Sequence, residues 1–84
     1  MNDYDPTNEY EVLIRIFRFI RDYSTSTYTL SSVVKKLINY LNTNGDEAEV
    51  TYRCNSFRVL TVNGHQYKIV KYPEWSKYDV QLLA

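Results

Sequence analysis

The sequence predicts an α+β fold in which an N-terminal helical hairpin packs on one face of a 3–4-stranded antiparallel β-meander. Three observations predict this class. Apolar residues recur with a helical period in residues 8–23 and again in residues 30–41. After Gly45 the period of the apolar residues changes to two. Two β-branched and aromatic runs then follow, separated by Asn63-Gly64, the strongest two-residue hairpin signal.

The first helix is predicted over residues 8–23, where apolar and charged side chains separate onto opposite faces. Asp5 suits the N-cap position and Pro6 the first helical position. The expected core face consists of Leu13, Ile16, Phe17 and Ile20, flanked by Val12, Phe19 and Tyr23. The opposite arc consists of Glu11, Arg15, Arg18, Arg21 and Asp22. This helix is therefore expected to lie on the surface of the domain with one face buried.

The second helix is predicted to begin after a polar connector, with Thr29 or Ser31 as its cap. Its apolar period is carried by Leu30, Val33, Val34, Leu37, Ile38 and Leu41. The period stops in the polar stretch 42–45, where Gly45 is a natural left-handed terminator. A helical hairpin is thus complete before the strands begin.

The strand register depends on the two hairpin loops. The Asn63-Gly64 turn predicts that Val62 lies opposite His65. For the first hairpin, a two-residue turn at 55–56 would place Val50 and Tyr52 on the sheet face away from the apolar residues of the next strand, whereas the other register keeps both on the core side. A three-residue loop at 54–56 instead aligns Val50 with Leu60, so this register is favoured because it makes a single apolar face. After a break at 73–76, a short final strand carries Tyr78, Val80 and Leu82.

Length and charge exclude several function classes. The 84 residues predict a single domain, 1–84, with an acidic N-terminal tail at 1–6. Ten basic residues balance ten acidic ones, which argues against binding nucleic acid by bulk charge and against mimicry of a polyanion. The charges are nevertheless segregated, because residues 50–73 contain four basic residues and no acidic one. Short apolar runs and the acidic N-terminus predict a cytoplasmic protein without a membrane span.

Residues with catalytic or metal-binding chemistry are few. Cys54 is the only cysteine and His65 the only histidine, which argues against a disulfide, a zinc cluster or a multi-histidine metal site. We expect Cys54 to be a half-buried structural thiol and His65 an exposed residue beside the turn. The acidic residues Asp46, Glu47 and Glu49 are expected to form a solvated loop after the second helix. The sequence therefore predicts a protein that is not an enzyme and has no cofactor or metal.

The sheet face opposite the helices is the predicted binding surface. The chosen register places on it Arg53, Phe57, Lys68 and Tyr72, together with Thr51, Val59 and Val70. Tyrosine and arginine are enriched in protein-binding hot spots. Trp75, in the Pro73–Ser76 segment, either closes the edge of the core or acts as a further anchor. These residues predict a protein partner, although an ordinary solvated face with a few exposed aromatics is the alternative.

The second hypothesis is a small nucleic-acid-binding transcriptional regulator, which could act as a monomer or as a dimer. It would use the basic hairpins 50–73, since basic and aromatic side chains on an open sheet can track a backbone and stack bases. The order helix, helix, hairpin resembles the general layout of winged-helix DNA-binding domains, without any specific motif of that family. The residues this hypothesis assigns to binding are Lys35, Lys36, Arg53, Arg58, Lys68 and Lys71.

The first hypothesis can be made more specific from composition. Nine tyrosines against three phenylalanines, together with many Ile, Asn and Lys residues, are typical of an AT-rich genome, which also accounts for part of the tyrosine excess. Small size and this codon signature favour a phage- or mobile-element-type accessory protein. We therefore expect a viral inhibitor, for example an anti-defence or anti-CRISPR-like protein, that occludes a surface of its partner. A homodimer is a further expectation for such a short chain.

Overall fold

The computed structural model describes residues 5–23, 28–72 and 77–83, and it confirms the predicted fold class. Two helices precede a four-stranded antiparallel sheet whose strands follow the chain order, β1-β2-β3-β4. The elements are α1 (Glu9–Arg21), α2 (Leu30–Thr43), β1 (Ala48–Arg53), β2 (Phe57–Val62), β3 (His65–Tyr72) and β4 (Lys77–Leu82). Helix α1 packs mainly on β4, whereas α2 lies over β1, β2 and β3.

Helix α1 begins later than the Asp5-Pro6 signal predicts. Its N-cap is Asn8, whose side-chain oxygen accepts the backbone N–H groups of Tyr10 at 2.9 Å and Glu11 at 3.3 Å. Asp5 instead stabilises a preceding turn, because its carboxylate accepts the backbone N–H and the hydroxyl of Thr7. The chain therefore has two successive capping residues, and the second one starts the helix.

Helix α2 begins and ends as predicted. Thr29 is the N-cap, and its hydroxyl accepts the Ser32 N–H at 3.1 Å. At the other end Gly45 adopts a φ of +93°, the left-handed conformation that glycine takes at little cost. Asn42 then connects the helix to the sheet, since its side-chain amide exchanges two hydrogen bonds with the backbone of Ala48.

The two loop lengths weighed for the β1–β2 hairpin are both present. Ala48 pairs with Val62 and Val50 with Leu60, as the three-residue loop requires. Beyond a bulge, Arg53 pairs with Arg58, and Cys54 N–H donates to the Phe57 carbonyl at 3.1 Å, which leaves a two-residue loop. The extra residue is absorbed between Val50 and Tyr52, so that two residues of β1 face one of β2.

The core lies between the helices and one face of the sheet, as predicted. Its buried members are Val12, Ile16, Ile20, Leu30, Val33, Val34, Leu37, Leu41, Leu60, Val62, Tyr67, Ile69, Tyr78 and Val80. The expectation that Phe17 belongs to this core is wrong, since its side chain is exposed. Val12 takes its place, because the face of α1 centres on Val12, Ile16 and Ile20 rather than on Leu13 and Phe17.

Neither helix described by the structure is long and apolar enough to cross a membrane. The final strand, predicted from Tyr78, Val80 and Leu82, is β4, and it completes the sheet by pairing with β3.

A candidate protein-binding face on the open side of the sheet

The sheet face turned away from the helices carries the candidate site. Side chains alternate along each strand, so the neighbours of core residues such as Leu60 and Ile69 point outward. On this side six residues form a continuous patch across the sheet, and we call them the outer patch. The outer patch consists of Tyr52, Phe57, Val59, Lys68, Val70 and Tyr72.

The centre of the outer patch is an aromatic pair with a cation. The rings of Tyr52 and Phe57 stack with centroids 5.6 Å apart and an angle of 28° between their planes. Lys68 Nζ lies 4.4 Å from the centroid of the Phe57 ring, which is within the range of a cation–π contact. Tyr52 is 56% exposed, so most of its ring remains available to a partner. The three side chains therefore form an ordered group that is open to solvent.

The remaining members extend the outer patch along β3. Val70 pairs with Phe57 of β2 on one side and with Asp79 of β4 on the other. Both Val70 and Tyr72 are half-buried. Tyr72 lies at the end of β3, opposite Lys77. The predicted positions of Phe57, Lys68 and Tyr72 on one face thus agree with the strand register.

The predicted position of Arg53 is wrong. Because of the bulge in β1, Arg53 pairs with Arg58, whose own partner in β3 is the buried Ile69. Directly opposite residues of an antiparallel pair share a face, so Arg53 projects to the helix side at the exposed end of the hairpin. Tyr52 takes the outward position instead, a residue that the single-face argument assigned to the core. Trp75 lies outside the described residues.

The six basic residues of the nucleic-acid hypothesis are not gathered on one surface. Lys35 and Lys36 are exposed on α2, in the helical layer, whereas Lys68 is on the opposite side of the sheet. Arg58 donates to the backbone carbonyls of Cys54 and Phe57. Lys71 Nζ donates to the Tyr28 carbonyl at 2.7 Å, so it connects the sheet to the start of α2. The remaining residue, Arg53, belongs to the helix side of the sheet as described above.

The residues with potential chemistry lie away from the outer patch. Cys54 is half-buried and carries a free thiol, as expected. His65 is more enclosed than expected, because its Nε2 lies 3.2 Å from the Thr7 carbonyl and therefore donates to it. Within the described residues no three His, Cys, Asp or Glu side chains converge as metal ligands would.

Asp46 contradicts the expectation of a solvated acidic loop. It is only 4% exposed, and its carboxylate accepts Asn63 Nδ2 at 3.0 Å. Arg15 NH1 of α1 lies 3.7 Å from the same carboxylate. Asp46 thus connects α1, the end of α2 and the β2–β3 turn, which is a structural role.

Two shifted pKa values also belong to structural contacts. The hydroxyl and backbone N–H of Thr7 lower the pKa of Asp5, while burial raises the pKa of Tyr78. Tyr78 is 1% exposed on the core side of the sheet. Neither group lies in the outer patch.

Comparisons with known proteins return no relative for this chain. No protein-family model matches it, and neither a curated protein nor a solved structure is detectably similar. The outer patch is therefore the feature of the molecule that bears on function.

Proposed function

We propose that this protein is a small non-enzymatic binding module that engages another protein through the outer patch. The observation that carries the proposal is the ordered group of Tyr52, Phe57 and Lys68 on an otherwise open sheet face. Aromatic side chains dominate hot spots because they bury a large area while losing little rotamer freedom on binding.

The contacts inside the outer patch reduce the entropy lost on binding. The Tyr52 ring is stacked on Phe57 before a partner arrives, and the Lys68 ammonium is positioned over the other ring. Side chains that are already ordered lose less rotamer entropy when they are covered. A sheet scaffold also holds the three groups more rigidly than a loop would.

Charge distribution supports a specific protein partner rather than general polyanion binding. The whole chain is neutral, and of the basic residues of the nucleic-acid hypothesis Lys68 lies on the opposite side of the sheet from the others, while Arg58 and Lys71 donate to backbone carbonyls. A neutral molecule with local charge orients a docking partner without attracting every polyanion. More specifically, we propose that the protein is an accessory or inhibitory protein of a phage or mobile element and acts by covering a surface of its target. The size and codon signature of the chain support that form.

Removal of the aromatic pair tests the proposal. We expect the affinity of the double variant Tyr52→Ala, Phe57→Ala for the partner to fall by about 1,000-fold, since two hot-spot rings contribute about 2 kcal/mol each. Tagged wild-type protein is used to capture its partner from the native host after nuclease treatment, and affinity for the purified partner is then measured calorimetrically. The matched control is Lys36→Ala, an exposed substitution on α2 that should leave the affinity unchanged.

Two results would contradict this function, and a third would require a second variant. Capture that disappears with nuclease treatment would favour the nucleic-acid hypothesis. Equal loss of affinity in the Lys36→Ala control would place the interface on the helical layer. Loss of the cooperative thermal transition in the double variant would show that the aromatic pair supports the fold, and single Tyr52→Ala, which removes only an exposed ring, would then decide the question by calorimetry.

A further inference from the structure

A second exposed surface lies at the β4 edge of the molecule. The side chains of Arg15 and Phe19 contact Tyr40 of α2, with the Arg15 guanidinium 6.0 Å and the Phe19 ring 4.7 Å from the centre of the tyrosine ring. These contacts fix the flank of α1 that faces α2. Because α1 packs mainly on β4 and α2 on the other three strands, the opposite flank of α1 extends over the free edge of β4.

That opposite flank is apolar and exposed. Tyr10, Ile14 and Phe17 follow one another at spacings of four and three residues, so they form a stripe along the helix. Their exposed fractions are 61%, 49% and 38%. We call these three residues the α1 flank. A row of large apolar side chains beside an open sheet edge is typical of an interaction surface.

The free edge of β4 presents backbone groups to the same side. Leu83 N–H donates to the Gln66 carbonyl at 2.8 Å. Because hydrogen-bonded pairs alternate along an antiparallel ladder, every second residue back from Leu83 also bonds to β3. The N–H and C=O groups of the residues in between, Tyr78, Val80 and Leu82, therefore point to the free edge. Among the described residues no other strand lies beside them.

The two edges of the sheet differ in their ability to pair. The β1 edge contains the bulge at Val50–Tyr52, an irregularity that discourages pairing with another strand. β4 pairs with β3 in an unbroken register from Lys77 to Leu82. The regular edge is thus the one that lies beside the α1 flank.

We propose that the occupant of this surface is a second copy of the chain, with β4 pairing antiparallel to β4 of that copy around Val80. The two four-stranded sheets become one eight-stranded sheet, and the two α1 flanks pack against each other above the junction. Such an interface is isologous, because the same strand and the same helix are used by both copies.

The positions of α1 and β4 allow one two-fold axis to relate both pairs of elements. Near the start of α1, the Glu9 carbonyl accepts the Tyr67 hydroxyl at 2.8 Å, and Tyr67 pairs with Leu82 near the end of β4. Beyond the other end of α1, the Tyr28 carbonyl accepts the Tyr78 hydroxyl near the start of β4. The middle of α1 therefore lies above the middle of β4, so an axis through Val80 also passes between the two α1 helices.

Charge on α1 is complementary to itself in this arrangement. The first turn of α1 is acidic, with Glu9 and Glu11, and the last turn is basic, with Arg18 and Arg21. Antiparallel packing brings Glu11 of each copy towards Arg18 of the other, on the solvent side of the α1 flank. A self-complementary charge pattern favours a second copy over an unrelated apolar partner.

Asp79 competes with a second copy for the free edge of β4 and so weakens the dimer. Its carboxylate accepts the edge-facing N–H of Val80 at 2.9 Å, so the free strand edge is partly satisfied in the monomer. Pairing with a second copy replaces this bond with a bond to a backbone carbonyl. We therefore expect Asp79→Ala to tighten the dimer several-fold.

The test measures molar mass by sedimentation equilibrium over a range of protein concentration. Wild-type protein is expected to change from the chain mass of 10.0 kDa to twice that value. Glu11→Arg and Arg18→Glu should each weaken the dimer by about tenfold or more, because each places like charges opposite one another twice. An equimolar mixture of the two variants should recover wild-type affinity, since both pairs are again attractive in the mixed dimer. Lys35→Glu, an exposed charge reversal on α2, is the matched control and should leave the dimer unchanged.

Amide hydrogen exchange tests the strand pairing separately. In the dimer the N–H groups of Tyr78, Val80 and Leu82 should exchange more slowly than in Ile14→Glu, a variant expected to be monomeric. A monomeric wild type throughout the concentration range would overturn the proposal. A dimer in which the mixture shows no recovery, or in which β4 amides are not protected, would overturn the arrangement around Val80. None of these measurements involves the partner of the outer patch, so they succeed or fail independently of the proposed function.

Discussion

Replacement of Asn63 by alanine is expected to destabilise the protein by about 2.5 to 4 kcal/mol, because it removes three hydrogen bonds and leaves alanine in a left-handed conformation. Asn63 Nδ2 donates to the Pro6 carbonyl and to Asp46 Oδ1, both at 3.0 Å. Its Oδ1 accepts the Glu47 N–H at 2.9 Å. These three hydrogen bonds contribute about 0.5 to 1 kcal/mol each, and their loss removes one partner of the buried Asp46 carboxylate.

Backbone conformation adds to the effect of this substitution. Asn63 has a φ of +52°, which alanine adopts less readily than asparagine or glycine. Asn63→Gly therefore serves as the matched variant, because it removes the same three hydrogen bonds and keeps the conformational freedom. Urea denaturation of both variants should show alanine about 1 kcal/mol less stable than glycine. A loss below 0.5 kcal/mol, roughly the weight of one exposed hydrogen bond, in both variants would show that Asn63 does not hold these segments together.

The role of Asn63 shows what the sequence predicts and what it leaves open. The dipeptide Asn63-Gly64 predicts a hairpin because turn chemistry is local, and the register it implies, with Val62 opposite His65, is confirmed. The bonds from Asn63 to Pro6 and Asp46 join residues 57 and 17 positions apart. No periodicity or local motif reports such contacts, so the burial of Asp46 was not predicted.

The bulge in β1 is a second case in which a local feature, the loop, and a distant one, the apolar core, both determine the structure. Here they determine the pairing register of β1. The apolar face requires Val50 opposite Leu60, whereas the end of the hairpin closes with a two-residue loop at Asn55-Ser56. Treating the two registers as alternatives leads to the wrong face for Arg53 and Tyr52. The chain satisfies both by inserting one residue, and this insertion places Tyr52 beside Phe57 in the outer patch. The position of Tyr52 follows from the sequence only if a bulge is admitted as a third solution.

The α1 flank has a related explanation. Periodicity identifies an amphipathic helix but fixes the direction of its buried face only approximately, since apolar residues cover more than half of its circumference. Contacts of Arg15 and Phe19 with α2 rotate the core face towards Val12, which leaves Phe17 outside. If the proposed dimer forms, it covers this residue and also joins two outer patches in one sheet. A partner with two matching sites would then bind with avidity as well as affinity.

Alkaline pH is expected to unfold the protein through Tyr78. Burial raises the pKa of this phenol above its ordinary value of 10.0, because the charged phenolate would have to form at a position only 1% exposed. Lys71 Nζ lies 5.6 Å from the centre of the ring and donates to the Tyr28 carbonyl that also accepts the Tyr78 hydroxyl. The folded state thus binds the phenolic proton more tightly than the unfolded state does.

The sign of the pH dependence follows from this difference. The contribution of Tyr78 to stability is complete below pH 10, the ordinary pKa, and it is lost as the pH rises from there through the higher pKa of the folded state. Tyr78→Phe cannot ionise, so its stability should fall less steeply with pH in this range. At neutral pH the same variant should be about 1 kcal/mol less stable than the wild type, because the hydrogen bond to Tyr28 is absent.

Urea denaturation at a series of pH values from 7 to about 11.5 distinguishes Tyr78 from the other titrating groups. The quantity that matters is the difference in unfolding free energy between Tyr78→Phe and wild type, which should shrink as the pH rises. Tyr52→Phe is the matched control, since Tyr52 is 56% exposed and lies on the other side of the sheet. A constant difference for Tyr78→Phe, or an equal change for Tyr52→Phe, would mean that the alkaline transition does not arise from the buried phenol.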